Sequence, residues 1–259
     1  MSGLIEGEYA ALNKRQISEA TCRKFHYQIG KYNGRNCHIA NYYNNSLDII
    51  AQKLRFPNKD FKWLGNPSDI SLFGENQYRN SGKILCVTEG EIDAMSVSQM
   101  QGNKYPVVSV PSGAASAPKF IAQSIEWVEQ FENVVFMFDQ DEAGKEAAKE
   151  CASLITPRKS KIANFEFKDA NEMFVNGKGK ELMDSMWEAK IYTPDGIISG
   201  KDTWEQLIAD NDKECIPYCW EGLNSKTSGM RRGEIVTFAA GTGQGKSQVC
   251  REIAYHLIL

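Results

Sequence analysis

The sequence predicts an α/β protein: a Rossmann-like parallel sheet preceded by a small α+β subdomain and followed by a linker helix and the start of a phosphate-loop domain. Three observations carry that prediction. From Lys83 onward, short apolar runs alternate with helical patterns, as parallel strands alternate with the helices that cover them. Before residue 80 the strand-like runs are joined by Asn-, Gly- and Pro-rich turns instead. Near the end, "AGTGQGKS" (240–247) follows an apolar run and opens a helical pattern.

The elements follow in order. In the basic subdomain, residues 1–80, "SEATCRKFHY" reads as a short helix with Ser18 as its N-cap. "CHIANYY" and "DIIAQKLRF" read as strands joined by the turn "NNS", and Pro57 and "GNPSD" end the region. Within 81–190, strands are expected at 84–88, 106–110, 133–138 and 161–167. Helices are expected near 91–101, 117–131, 142–155 and 179–189. Right-handed crossovers between parallel strands place their C-terminal ends along one edge. Residues 191–212 hold an extended linker and the amphipathic helix "KDTWEQLIADND", with Trp204, Leu207 and Ile208 on one face. The remainder, 213–259, reads as a strand, a Gly-rich loop and a helix.

Composition narrows the function classes. Of 259 residues, 42% are hydrophobic and 24% charged, ordinary values for a globular protein. No apolar run approaches the roughly 20 residues that span a bilayer, and the N-terminus lacks a secretory pattern, so no membrane partner is expected. The seven cysteines are scattered without a CxxC pair, which argues against a zinc ribbon and for thiols in a reducing compartment. Net charge is −3, yet residues 1–65 carry +5 and the rest −8. Phe25, Tyr27, Tyr32, Tyr42, Tyr43, Phe56, Phe61 and Trp63 interleave with those basic residues. Cations for phosphates beside rings for stacking suit single-stranded nucleic acid. A solvated subdomain with aromatic core residues fits the same segment, which alone leaves both readings open.

Acidic residues gather where strands end. "VTEGEIDAM" places Glu89 at a strand's C-terminal edge, with Glu91 and Asp93 opening the next helix. "FMFDQDEAGKEAAKE" places Asp139 and Asp141 at the corresponding point of a second strand. Acids in a helix's first turn stabilise its positive end by about 0.3–1 kcal/mol each, so capping alone explains one such site. Five carboxylates on one sheet edge repel one another unless a cation sits among them. Mg²⁺ (or Mn²⁺) suits a few hard oxygen ligands completed by water.

"VTEGEIDAMSV", "VVFMFDQDEAGKEAA" and "KDANE" together resemble the toprim primase half of phage bifunctional DNA primase–helicases, a family whose mitochondrial relative is Twinkle. The likeness runs from about residue 8 to the last and includes "QKLRFPNKDF", "SLFGE" and "TPDGIIS". It implies a catalytic set of Glu89, Glu91, Asp93, Asp139, Asp141 and Asp169, with Glu89, Asp139, Asp141 and Asp169 as metal ligands. Asp169 would fit equally as an N-cap on local grounds. The resemblance also implies nucleotide or template contacts for Lys53 and Lys59, and more loosely for Arg15, where a solvated charge is the simpler reading.

Glycines 241, 243 and 245 would let backbone N–H groups cradle phosphates, with Lys246 reaching the β/γ oxygens and Ser247 holding Mg²⁺. Ala240 stands where such loops usually start with Gly. A RecA-like core needs further strands, a second acidic residue and an arginine finger, so the chain reads as a piece of a longer protein, with ATP binding at 240–247 weak or absent and hydrolysis absent. No four Cys/His ligands supply the zinc domain that priming relatives usually carry.

The reading is a DNA primase that condenses ribonucleoside triphosphates on single-stranded DNA. Its alternatives are a non-catalytic DNA-binding module of a replicative helicase and a toprim nuclease. By resemblance the intact protein would be a hexameric or heptameric 5′–3′ helicase ring. It would work with a replicative DNA polymerase in the cytoplasm of a host cell, if phage-encoded.

Overall fold

In a computed structural model, residues 3–58, 60–78, 82–194, 203–204 and 215–258 are described. The chain divides into two units, 1–195 and 196–259. The first begins with α1 (Glu19–Lys24), capped by the Ser18 side chain, which accepts from the Thr21 N–H. β1 (Tyr27–Tyr32), β2 (Arg35–Tyr43), β3 (Ile49–Arg55) and β4 (Phe61–Gly65) follow as an antiparallel sheet in chain order. The two central strands stand where expected, and β1 and β4 are additions. Register sets Ala40 against Tyr27 and Lys53, Lys53 against Trp63, and Arg55 against His38 and Phe61. Because side chains alternate, these residues share one face. The opposite face buries Cys37, Ile39, Leu54 and Phe56, with Tyr32 packed against them.

The parallel sheet comprises β5 (Ile84–Thr88), then α2 (Glu91–Met100), β6 (Val107–Ser109), α3 (Ala117–Gln123), α4 (Ile125–Val128), β7 (Asn133–Met137), α5 (Glu142–Ser153) and β8 (Ser160–Ile162). α6 (Ala170–Val175), α7 (Gly179–Trp187) and the two-residue β9 (Lys190–Ile191) complete it. Strand order is β6-β5-β7-β8-β9, parallel except for β9. Most expected elements differ at their ends by one or two residues, and two differ by more. The helix at 117–131 breaks at Ser124, and the strand at 161–167 ends at Ile162, after which the chain turns back so that Lys168 accepts from the Gln140 N–H.

No core boundary falls at residue 80. Phe25, Tyr27, Tyr42 and Phe73 pack in one buried cluster with Cys86, Ile92, Met95, Val107 and Val135, so the antiparallel sheet and one face of the parallel sheet share a core. Phe25 stacks on Phe73 with centroids 5.5 Å apart, a geometry favoured beyond simple burial. The other face of the parallel sheet buries Leu85, Val87, Val134, Phe136 and Phe138 under α3 and α5.

The second unit contains α8 (Glu221–Thr227) and α9 (Lys246–Ile258). The strand expected ahead of the Gly-rich loop does not form: residues 234–240 lie outside any ladder, and Ile235 is 95% exposed. A strand is held by its neighbours, and none flanks this segment among the described residues. The linker helix expected at 201–211 lies outside the described residues except for Thr203 and Trp204. No helix among the described residues is long and apolar enough to cross a membrane.

Candidate active site

Parallel β5 and β7 end side by side, Thr88 opposite Met137, so the residues after them emerge on one edge. There a cavity of about 760 Å³ is lined by the acids Glu89, Glu91, Asp93, Asp139 and Asp169 together with the cations Arg15, Lys53, Arg55 and Lys168. Asp141 does not line it, and Lys59 lies outside the described residues.

The carboxylates have different employment. Asp141 caps α5, its Oδ1 accepting from the Gly144 N–H at 3.0 Å, and that bond together with Lys168 holds its carboxyl below the usual range. Asp169 caps α6, accepting from the Glu172 N–H at 2.6 Å. Asp139 caps nothing. Burial, then Glu89 and Asp169, push its carboxyl up to about 7. Burial and Asp169 push Asp93 up to about 8, although the Asn171 N–H bonds its Oδ1 at 2.9 Å. Glu89 is raised as well, chiefly by burial. Its Oε1 accepts from the Ala114 N–H at 3.2 Å, and its Oε2 is buried with no hydrogen-bond partner.

Glu91 serves a different purpose. Its Oε1 accepts from the Tyr42 hydroxyl at 2.6 Å and from Lys53 Nζ at 2.8 Å, with the two charged side chains 6% and 12% exposed. Lys53 Nζ also donates to the Pro111 carbonyl at 2.7 Å. This buried pair ties β3 to the start of α2. Arg15 is more engaged than a solvated surface charge: its Nη1 donates to Asn171 Oδ1 at 3.0 Å.

Sequence reasoning missed three residues here. Lys168 Nζ lies 3.3 Å from Asp141 Oδ2 and 4.0 Å from Asp139 Oδ2, a tethered cation beside the acids. Its place next to Asp169 in "KDANE" was the available signal. Asn171, of the same stretch, is buried and links Arg15, Ser96 and Asp93. Gly144 passes so close to Asp139 that a Cβ would overlap the Asp139 carbonyl oxygen, a close approach no sequence pattern announced.

Among the described residues no three His, Cys, Asp or Glu side chains are drawn together tightly enough to enclose an ion. The donor set nevertheless fits a divalent cation held by few carboxylates and completed by water. Glu89 Oε2 is a buried oxygen without a donor, and Asp139 is raised by the charges around it, both conditions that a cation relieves. Glu89 and Asp139 would be its main ligands, with Asp169 and Asp141 beside them.

In the second unit, Gly243 and Gly245 take positive φ (79° and 84°) and α9 opens at Lys246. Lys246 Nζ folds over the loop, donating to the Ala240 and Gly241 carbonyls at 2.7 and 2.8 Å. Gly241, Gly243, Gly245, Lys246 and Ser247 thus form a turn that leads into a helix, without the strand expected ahead of it.

Residues 7–65 match the family model described as the N-terminal a+b fold of bacteriophage T7 DNA helicase/primase, and residues 86–174 match one described as Toprim-like. A DNA helicase/primase of Enterobacteria phage T3 is 38% identical over 253 residues, covering 96% of this chain and 44% of the relative, so the chain spans less than half of that protein. The crystal structure of the primase fragment of the bacteriophage T7 primase–helicase superposes with a TM-score of 0.67 at 43% identity, covering 70% of this chain and 75% of the fragment. A second bacteriophage T7 structure has the lagging-strand DNA polymerase interacting with primase domains of two subunits bound to an RNA/DNA hybrid and dTTP. Its primase chain gives a TM-score of 0.68 at 42% identity, covering 72% of this chain and 94% of that one. Two family matches in the right order, and shared structure at this identity, make the chain a member of the phage T7-type DNA helicase/primase family, with the fold of that family's primase fragment.

Proposed function

We propose that this chain synthesises short RNA primers on single-stranded DNA, joining ribonucleoside triphosphates with Mg²⁺ or Mn²⁺. The observation that carries the reading is a cavity at the edge of the parallel sheet that gathers acids and cations together. A 3′-oxygen attacks the α-phosphorus of the incoming nucleotide, a new P–O bond forms, and pyrophosphate leaves with the electrons of the broken one. Bound divalent ions would activate the attacking oxygen and stabilise the leaving one. Glu89, Asp139 and Asp169 supply the negative wall that would hold them. Arg15 and Arg55 offer charge to template or nucleotide phosphates. Lys53, fixed by Glu91 and the Pro111 carbonyl, sets the position of the positive wall.

The intact protein would form a hexameric or heptameric helicase ring with nucleotide at 240–247. A replicative DNA polymerase would be its partner, a reading supported by the T7 structure in which the polymerase meets primase domains of two subunits. The subdomains 1–80 and 81–190, the linker 191–212 and a RecA-like portion 213–259 remain the proposed functional division.

Dinucleotide formation from ribonucleoside triphosphates on a short single-stranded template tests the reading. Nicking of DNA without ribonucleotides would instead make the protein a nuclease. DNA binding with neither reaction would make it a binding module of a helicase. A further prediction concerns Gly144. Alanine in place of a helical glycine usually adds about 1 kcal/mol. Here Gly144→Ala is expected to lower the melting temperature and to slow dinucleotide synthesis by about tenfold or more, because the added Cβ displaces Asp139.

A further inference from the structure

We infer that Phe61 is a stacking platform for a nucleobase at the wall of the active-site cavity, an inference that rests on the proposed function of that cavity. Nine aromatic residues fall in the first 65 positions, and the fold removes nearly all of them from contention. Tyr9 meets His26 through its hydroxyl and does not line the cavity. Phe25, Tyr27 and Tyr42 are buried in the shared core. Phe56 is buried on the far face of the antiparallel sheet, and Tyr32 packs against the same far-side cluster. Tyr43 meets the edge of His26 and does not line the cavity. Trp63 lines it but is committed to packing, its ring 5.0 Å from that of Tyr42.

Phe61 is different. It lines the cavity on edge strand β4 and is 51% exposed. A singly exposed phenylalanine is ordinary on a protein surface. This one stands on a charged wall and is pinned there by two cations, with Lys53 Nζ 4.8 Å and Arg55 Cζ 5.7 Å from its ring centroid. Lys53 is in turn held by Glu91, so the ring's orientation traces back to a buried ion pair. An oriented ring beside a guanidinium that makes no ion pair among the described residues matches a base and the phosphate attached to it. The base belongs either to the template strand or to a nucleotide substrate, and the chemistry is the same for both.

Four probes separate the possibilities, used on the full chain with Lys246→Ala so that the Gly-rich loop does not contribute. A fluorescent 12-mer oligothymidylate is compared with an abasic strand of equal length, and ATP with inorganic tripolyphosphate by calorimetry. Phe61→Ala is expected to weaken the oligothymidylate or ATP by about tenfold and to leave the abasic strand and tripolyphosphate unchanged, with Phe61→Trp restoring the loss. Loss on the strand assigns a template base, and loss on ATP assigns a substrate base. Equal losses on base-bearing and base-free probes, or binding that Phe61→Ala leaves intact, overturn this inference alone. A parent protein that binds none of the four overturns the proposed function and the inference together.

Discussion

Asp139→Asn is expected to reduce primer synthesis by at least about a hundredfold while stabilising the metal-free protein at neutral pH. The two effects share one origin. Asp139 caps no helix, and burial together with Glu89 and Asp169 raises its carboxyl to about 7 from an ordinary value of 3.8. Between those values the folded state binds a proton that the unfolded state releases, so stability falls as pH rises from about 4 to about 7. The charged form at neutral pH therefore opposes folding, and an amide removes that opposition. A bound cation does the same for the native protein, so Mg²⁺ should raise its melting temperature and should do so far less for Asp139→Asn. Melts with and without Mg²⁺ at pH 5 and pH 7.5, set beside initial rates of dinucleotide formation, read all of this. Asp141 supplies the contrast. Asn caps helices as well as Asp does, so Asp141→Asn should leave the melting temperature nearly unchanged, whereas Asp141→Ala should cost about 1 kcal/mol. Full activity with both aspartates changed to Asn would remove them from the metal site.

Lys53→Met is expected to destabilise the first unit by about 3–5 kcal/mol, the effect of leaving a buried charge without its partner. Glu91 would retain only the Tyr42 hydroxyl, and a carboxylate 6% exposed is poorly hydrated. Changing both residues, Lys53→Met with Glu91→Gln, removes the stranded charge and should recover most of the loss in urea unfolding. Activity should not recover with it, because the positive wall is then missing a cation and Phe61 one of its anchors. A double variant as unstable as Lys53→Met alone would show that the pair's value lies in packing rather than in charge.

The parallel sheet was legible because its signals are local. β5 and β7 are unbroken apolar runs, and α2 and α5 follow directly, so strand–helix alternation and crossover handedness placed Glu89 and Asp139 on one edge before any coordinates. The Ser18 cap was legible for the same reason. What escaped depended on contacts distant in sequence. β1 and β4 are too polar to stand out, and only the register with β2 and β3 reveals them. Glu91 looks like its neighbours Glu89 and Asp93 along the chain, and only folding shows it spent on Lys53, 38 residues away. Asp139 and Asp141 also differ in local work: Asp141 caps α5, and Asp139 lines the cavity.

The core shared by the two sheets carries a consequence for how the protein comes apart. Rings from β1, β2 and Phe73 fill the same interior as Val107 and Val135 of the parallel sheet, so neither sheet can shed its packing while the other keeps its own. The antiparallel sheet and the acidic edge of the parallel sheet then belong to one cooperative foldon, and amide exchange in β2 and β7 should report a single opening free energy. Strand capture and phosphoryl transfer would be switched off by the same unfolding event, leaving no half-open state that grips a template without being able to extend on it.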